Sequence, residues 1–230
     1  MAGPPRHRRT GAAVTRRRTA SEEVSAALLQ AAETVLDRDG ADGVTVRAVA
    51  KQAAVAPMGV YNRFANKEGL LVALANRALD DLAAAIEVDG GQADDRLRRA
   101  CRGYRDFALG HPARYALIFA AGTPLSDQSS AVAIHGRSVF TTLVGLVTGL
   151  GSFEPTETAQ AVWSAIHGAV SVELAGIGQT PDATASFDNL LDLLIAGQGA
   201  AATSAATAAG SASAPAINQR PPQSAAANSE

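Results

Sequence analysis

The sequence is poor in cysteine and in aromatic residues, and each scarcity narrows the class of protein. A single cysteine, Cys101, excludes an intramolecular disulfide and a zinc site built from cysteines. Aromatic residues make up only 4% of the chain while alanine is abundant, which favours closely packed helices over a β-sandwich or barrel. No apolar run reaches membrane-spanning length, and no apolar segment follows the N-terminal arginines as in a signal peptide. We therefore expect a cytoplasmic all-α protein without membrane association.

Charge is distributed unevenly along the chain. Residues 1–77 contain 12 Lys/Arg and 7 Asp/Glu, a net charge of +5, whereas residues 78–230 contain 8 and 15, a net charge of −7. A basic head on an acidic body is typical of a protein whose head alone meets a polyanion. Six of the 12 basic residues lie between Arg6 and Arg18, however, so an arginine-rich disordered arm explains the asymmetry as well. Charge alone therefore does not establish nucleic-acid binding.

Apolar residues recur with helical spacing between two polar termini. This pattern predicts nine helices, at residues 19–40, 45–53, 57–64, 67–88, 94–110, 113–121, 127–150, 156–178 and 184–196. Thr19 and Glu22 have the spacing of a capping box at the start of the first helix, which Asp39-Gly40 would end. Both termini have compositions typical of disorder. The predicted organisation is a disordered arm (1–18), a three-helix head (19–80), a helical body (81–196) and a disordered tail (197–230).

The segment from residue 45 to residue 70 has the pattern of two short helices joined by a three-residue turn. Thr45 is a suitable cap for the first helix, and Pro57 suits the first position of the second. The predicted core positions are Val46, Val49, Val60 and Phe64. Tyr61 continues the apolar face, which leaves Met58, Gly59, Asn62 and Arg63 facing outward. Small and polar residues on the outer face of a second short helix are what a major-groove reader presents. A plain helical hairpin fits the same spacing.

The residues of this segment resemble the N-terminal domain of the tetracycline-repressor-like (TetR) family. That pattern is T-x-R-x-[IV]-A-x-x-A-G-V-S, then Y-x-x-F and K-x-x-L, and it is matched by Thr45, Arg47, Val49, Ala50, Ala53, Val55, Tyr61, Phe64, Lys67 and Leu70. Two residues depart from it: Ala54 replaces the turn glycine, and Ala56 replaces the Ser or Thr that caps the second helix. The resemblance covers residues 20–80. It implies a sequence-specific DNA-binding regulator, a ligand-responsive repressor acting as a homodimer rather than an enzyme.

The same resemblance implies roles for individual residues at double-stranded operator DNA. Thr45, Tyr61 and Lys67 match the family's phosphate contacts. Their alternatives are a helix cap, a half-buried core aromatic and a solvated lysine. The candidates to approach base edges are Arg47, Pro57, Met58, Gly59 and Asn62. The arginine-rich arm could lie in a flanking minor groove or only add charge.

The C-terminal part, at residues 111–124 and 163–168, resembles one TetR subfamily that carries a Trp-x-x-x-His-Gly motif. The resemblance implies a domain that binds a small-molecule effector and joins two protomers. Candidate effector-binding residues, for which ordinary core packing is the alternative, are Tyr104, Phe107, Phe119, His135, Phe140, Trp163 and His167. Candidate dimer contacts, for which intrachain packing is the alternative, are Ala161, Ala165, Gly168, Val172, Phe187, Leu191 and Leu194. Glu173 could meet a ligand, an arginine of the same chain or solvent.

Two other classes of function remain as alternatives. A helical enzyme is disfavoured because the four histidines are scattered and no catalytic or nucleotide-binding motif occurs. A protein-binding adaptor without DNA contacts is suggested by Ala54 and Ala56, which depart from the family pattern. No cofactor and no metal ion is expected.

Overall fold

The computed structural model describes the backbone of residues 10–120 and 122–212, and the side chains of residues 22–198 apart from 121 and 124. Within these residues the chain is all-α, as predicted, with nine α-helices, one short 3-10 helix (Pro124–Ser126) and no strand. The helices are α1 (Thr10–Gly43), α2 (Val46–Gln52), α3 (Pro57–Phe64), α4 (Lys67–Ile86), α5 (Ala93–Gly110), α6 (Pro112–Phe119), α7 (Ala131–Gly149), α8 (Pro155–Leu174) and α9 (Ala183–Ala212).

One hydrophobic core runs from the head into the body. Helix α4 packs against α1 and α3 on the head side and against α5, α6 and α7 on the body side. Its buried stripe extends from Leu70 to Ile86, so a single helix supplies core residues to both regions. The predicted boundary at residues 80 and 81 therefore falls inside α4. Head and body share this helix rather than a linker.

The predicted ends of the first and last helices are wrong. Helix α1 begins at Thr10 instead of Thr19, so Thr19 and Glu22 lie inside the helix and form no capping box at its start. The break predicted at Gly40 is present as a non-helical φ of 70°. Helix α9 continues to Ala212, into the tail that was predicted to be disordered. Both extensions are free of proline, and the extension of α9 is rich in alanine, the residue with the highest helix propensity. Residues 1–9 and 213–230 lie outside the described residues.

Helix α7 is apolar enough, over 19 residues, to satisfy the length and composition of a membrane span, contrary to the expectation from sequence. It also begins at Ala131 rather than residue 127, because the Ser130 side chain accepts a hydrogen bond from the Ala133 backbone N–H and caps it. Helix α7 packs against α4, α5 and α8. Its buried residues are Val132, Ala133, Val139, Leu143, Leu146 and Val147.

Candidate nucleic-acid interface and ligand cavity

Helix α2 and the turn after it keep the geometry of a helix-turn-helix despite the missing glycine. Thr45 caps α2, with its Oγ1 accepting a hydrogen bond from the Ala48 N–H at 3.1 Å. Ala54 has a φ of 53°, the left-handed conformation that favours glycine. An L-residue there costs about 1–2 kcal/mol. The turn therefore adopts its conformation against the local preference of its residue.

Helix α3 is held to the head by few side chains. Ala56 is its N-cap residue, as predicted, and provides no side-chain acceptor, while Pro57 takes the first helical position. Val60 is fully buried and Phe64 is partly buried against the core. The assignment of Tyr61 to the apolar face is wrong, since its side chain is 48% exposed. Val60 is thus the main anchor of a helix that otherwise faces outward.

All eight residues predicted to contact DNA are exposed on the head: Thr45, Arg47, Pro57, Met58, Gly59, Tyr61, Asn62 and Lys67. The Lys67 ammonium group donates a hydrogen bond to the Asp42 carbonyl oxygen at 3.2 Å. This contact brings the start of α4 beside the connection between α1 and α2, where Thr45 lies. Residues 44–67 contain four Lys/Arg and no Asp/Glu. The exposed face is therefore locally cationic, which suits a polyanion.

Gly59 lies on this face without a structural need for glycine. A Cβ atom built there would meet only the Val55 Cγ2 atom, at the ordinary contact distance of 3.9 Å. At Gly69 and Gly103, in contrast, a Cβ would overlap the carbonyl oxygens of Phe64 and Ala85. Glycine in a helix interior costs roughly 0.5–1 kcal/mol relative to alanine. Packing within the chain gives no reason for that cost at Gly59.

The body contains a cavity of about 290 Å³ between α4, α5, α7 and α8. Four of the seven residues predicted to bind an effector line it: Tyr104, Phe119, Phe140 and Trp163. Sequence reasoning missed the aliphatic wall, which includes Leu79, Leu82, Ile86, Leu143, Leu146 and Ile166, and the polar residues Gln128, Arg137 and Gln160. The aliphatic residues follow the same helical spacing as ordinary core residues, so no signal in the sequence separates them.

Three predicted effector contacts lie away from the cavity wall. Phe107 is buried beside the His111 ring, with 5.7 Å between the ring centroids. His135 faces α4 instead, with its Nδ1 3.1 Å from the Asn76 Oδ1 and its Nε2 3.3 Å from Asp80. His167 does not line the cavity but contacts two rings that do, with 5.1 Å between its ring centroid and that of Phe119 and 5.8 Å to that of Trp163. Phe107 and His167 share a helix face with the lining residues Tyr104 and Trp163 but lie about one turn further along, so position along the helix separates them from the cavity.

A hydrogen-bonded cluster of two tyrosines and His167 supports the cavity wall. The His167 Nδ1 is 2.9 Å from the Tyr104 hydroxyl and 2.7 Å from the Tyr115 hydroxyl, and the two hydroxyls are 3.1 Å apart. Burial raises the pKa of both tyrosines and lowers the pKa of His167, so all three rings are neutral at pH 7. Burial likewise raises the pKa of Cys101 to about 12, which keeps its thiol protonated.

Glu173 forms an ion pair within the chain, which decides between the three alternatives left by the sequence. The Arg105 Nε donates to Glu173 Oε2 at 2.7 Å, and its Nη2 donates to Oε1 at 2.6 Å. The same Nη2 donates to the Thr184 hydroxyl at 3.1 Å. These bonds join α5, α8 and the start of α9, so Glu173 has a structural role.

The predicted dimer contacts fall into two groups. Phe187 and Leu191 are only 3% and 1% exposed, because α9 turns this stripe toward its own chain, which favours the alternative of intrachain packing for both residues. Leu194 is partly buried against the same core. On α8 the predicted residues face outward or partly outward: Ala161, Ala165, Gly168 and Val172. The outward side of α9 carries Leu193, which is 64% exposed and was missed by sequence reasoning.

A charged cluster connects the body to the head through α6. The Arg114 side chain donates from Nε and Nη2 to the Asp37 carboxylate of α1, at 3.1 and 2.7 Å. Its Nη1 donates to Asp81 of α4 at 3.2 Å. Phe119, five residues further along α6, lines the cavity. A single short helix thus contacts both the ligand cavity and the first helix of the head.

The head and the body each match the model of a known protein family. Residues 28–74 match the model of bacterial regulatory proteins of the tetR family, and residues 97–194 match the model of the tetracyclin repressor-like C-terminal domain. An uncharacterized HTH-type transcriptional regulator of Mycobacterium tuberculosis is 30% identical over 208 residues, which cover 90% of this chain and 94% of that protein.

Solved structures share the fold. A possible TetR family transcriptional regulator from Streptomyces coelicolor superposes with a TM-score of 0.59 and 25% identity, covering 76% of this chain and 98% of that one. BioQ with its double-stranded DNA operator superposes with a TM-score of 0.56 and 24% identity, covering 75% of this chain and 96% of that one. The chain belongs to the TetR family of bacterial regulatory proteins and is a DNA-binding transcription regulator.

Proposed function

We propose that the chain binds operator DNA as a homodimer through α2 and α3, and that a small molecule in the body cavity relieves repression. The observation that carries the DNA-binding part is Gly59. Gly59 occupies an exposed helical position where a side chain would fit and would stabilise the helix. Close approach of the α3 backbone to DNA supplies a reason that packing does not. This activity is regulatory rather than enzymatic.

The exposed faces of α8 and α9 support a dimer. Val172 and Leu193 are 42% and 64% exposed, and small residues such as Ala161 and Gly168 beside Val172 permit close approach of a partner helix. Burying these faces against a second copy would remove apolar surface from water. A dimer would also present two copies of α3 to the two half-sites of a palindromic operator.

The route from cavity to head supports an effector response. A molecule in the cavity contacts Phe119 and thereby α6, and Arg114 on the same helix is ion-paired to α1 and α4. A ligand that favours one position of α6 would therefore favour one position of the head. The spacing between the two α3 helices would change, and with it the match to the operator.

Selection of bound sequences from genomic fragments tests the DNA-binding proposal. The affinity for the selected operator is then measured over a range of salt concentrations. Lys67→Ala should reduce the slope of log affinity against log salt by about one unit, because one phosphate contact is lost. Tyr61→Phe should weaken operator and random DNA alike. Arg38→Ala is the matched control, since Arg38 is an exposed arginine of α1 that pairs with its neighbour Asp39.

Enrichment of one sequence motif together with the altered slope in Lys67→Ala would support the proposal. Absence of any enriched sequence would instead favour the protein-binding adaptor. A dimer in light scattering at micromolar concentration is expected for the intact chain, and Gly168→Arg on the exposed face of α8 should yield monomers that bind a palindromic operator poorly. A monomeric wild-type protein would contradict the homodimer.

A further inference from the structure

We propose that the effector is an amphipathic monocarboxylate, whose apolar part fills the body cavity and whose carboxylate binds Arg137 at the opening. The relevance of this ligand to gene regulation rests on the effector response proposed above, whereas its binding can be measured without DNA. The inference rests on three features of the cavity: its lining, the polar residues at its opening and its volume.

The interior of the cavity offers hydrocarbon contacts rather than hydrogen bonds. Its wall is formed by side chains such as Leu82, Leu143 and Ile166, together with the rings of Phe140 and Trp163. The Tyr104 hydroxyl already lies within hydrogen-bond distance of Tyr115 and His167. A polar group placed deep in this space would lose its water without finding a partner, which is costly. The buried part of the ligand should therefore be apolar.

The polar lining residues are exposed and thus lie where the cavity meets solvent: Gln128, Arg137 and Gln160. Arg137 is the only Lys, Arg, Asp or Glu residue of α7. Its Nη1 donates to the Gln128 backbone carbonyl at 3.1 Å and lies 3.4 Å from the Gln128 side-chain oxygen. These contacts hold the guanidinium at the opening, and both acceptors are uncharged oxygens of Gln128.

Arg137 is the one Lys, Arg, Asp or Glu among the described residues that line the cavity, and it has no acidic partner. Arg96 and Arg99 of the body also form no ion pair with a described residue, but they do not line the cavity. Arg98, Arg102, Arg105 and Arg114 each form an ion pair with a carboxylate of the chain. Among the residues that the structure describes, no carboxylate lies within ion-pair distance of Arg137, although residues 78–230 carry a net charge of −7. A guanidinium binds a planar carboxylate well, by two parallel hydrogen bonds. An anionic ligand group would complete the site.

The volume limits the size of the apolar part. A cavity of about 150 Å³ in another protein binds one benzene molecule, and this cavity is close to twice as large at about 290 Å³. It therefore suits a ligand with about a dozen non-hydrogen atoms. Decanoate meets this size and carries one negative charge, which makes it a suitable probe. Decanol is its neutral counterpart, and decylamine is its cationic counterpart.

The fluorescence of Trp163 measures binding directly, because it is the only tryptophan of the chain and lines the cavity. The three probes are titrated into the full chain below their micelle-forming concentrations. Decanoate should change the fluorescence at the lowest concentration, decanol at a higher one and decylamine at the highest. Arg137→Gln should weaken decanoate binding on the order of tenfold and leave decanol binding unchanged. Arg38→Gln, a matched change at an exposed arginine of α1, should alter neither.

Equal affinity of Arg137→Gln and wild type for decanoate would overturn the inference, as would tighter binding of decanol than decanoate by wild type. Loss of decanol binding in Arg137→Gln would also overturn it, because the variant would then have damaged the cavity rather than an anion contact. Operator release is measured separately. If decanoate binds but leaves DNA binding unchanged, the ligand class stands and the proposed effector response fails. If another class of compound binds in the cavity and releases DNA, the effector response stands and the ligand class fails.

Discussion

Helices α3 and α7 use their residues in opposite ways. Helix α3 fully buries one residue, Val60, and exposes most of the others, whereas α7 buries six residues and lines a cavity. In the head the residues predicted to contact DNA all lie between Thr45 and Lys67, because short neighbouring elements expose them directly. In the body the residues that line the cavity come from five helices and are brought together by packing. Function is therefore local in sequence in the head and distributed in the body.

The same contrast holds for the energetic cost of function. The head keeps residues that are unfavourable for its own stability: Ala54 in a left-handed conformation, Ala56 without a cap hydrogen bond and Gly59 inside a helix. Gly103 of the body is instead required by packing, because α5 approaches the end of α4 there. We infer that the residues of the head suit contact with an external surface, whereas those of the body suit packing within the chain.

Replacing Gly103 tests the body side of this contrast and should have the largest effect. A Cβ at this position would overlap the Ala85 carbonyl oxygen, so α4 and α5 would have to separate. We expect Gly103→Ala to lower the free energy of unfolding by about 3 kcal/mol. Urea denaturation followed by circular dichroism measures the change. Wild-type stability in this variant would contradict the packing requirement.

Replacing Arg114, which links the body to the head, should have the next largest effect on stability. Arg114 is only 15% exposed and neutralises Asp37 and Asp81, so Arg114→Gln leaves these carboxylates without their shared partner. We expect a stability loss of about 1–2 kcal/mol. Operator release should also require more effector, because α6 no longer constrains α1. Arg102→Gln is the control, since Arg102 pairs with Asp188 of α9 and makes no contact with the head. Equal effector responses in the two variants would argue against transmission through α6.

The contrast also explains how much could be predicted from sequence. Helix spacing predicted the nine helices, and the residues from Thr45 to Leu70 predicted the exposed face of the head, because a solvent-facing residue keeps its role wherever the rest of the chain folds. The cavity was predicted only through its aromatic residues. Leu143 and Phe187 have the same apolar character, yet one lines the cavity and the other fills the core. Helix rotation decides between these roles, and it is set by contacts far apart in the sequence.

Replacing Gly59 tests the head side of the contrast. Because the added Cβ meets only Val55, at ordinary contact distance, Gly59→Ala should stabilise the head by about 0.5–1 kcal/mol. The same methyl group would separate α3 from DNA and weaken operator binding on the order of tenfold. Thermal unfolding and fluorescence anisotropy on one protein sample measure both effects. Unchanged affinity together with raised stability would place Gly59 away from the DNA.

The smallest expected effect concerns the missing cap of α3. Pro57 has no N–H, and the Gly59 N–H donates to the Ala56 carbonyl oxygen at 2.9 Å, so the Met58 N–H is the donor that a cap residue would satisfy. Ala56→Ser supplies the acceptor and should stabilise the head by about 0.5–1 kcal/mol. Ala26→Ser, at an exposed position inside α1, adds the same hydroxyl without a cap and should cost up to about 0.5 kcal/mol.

Operator affinity of Ala56→Ser then distinguishes two reasons for the alanine. If α3 is partly frayed in the free protein, the serine should tighten binding, because less ordering remains to be done on DNA. If the serine crowds a phosphate, stability should rise while affinity falls. The second outcome would group Ala56 with Gly59, as a residue whose small size serves the DNA contact at the expense of the helix. A variant with neither higher stability nor altered affinity would show that its hydroxyl does not cap α3, and the contrast would then rest on Ala54 and Gly59.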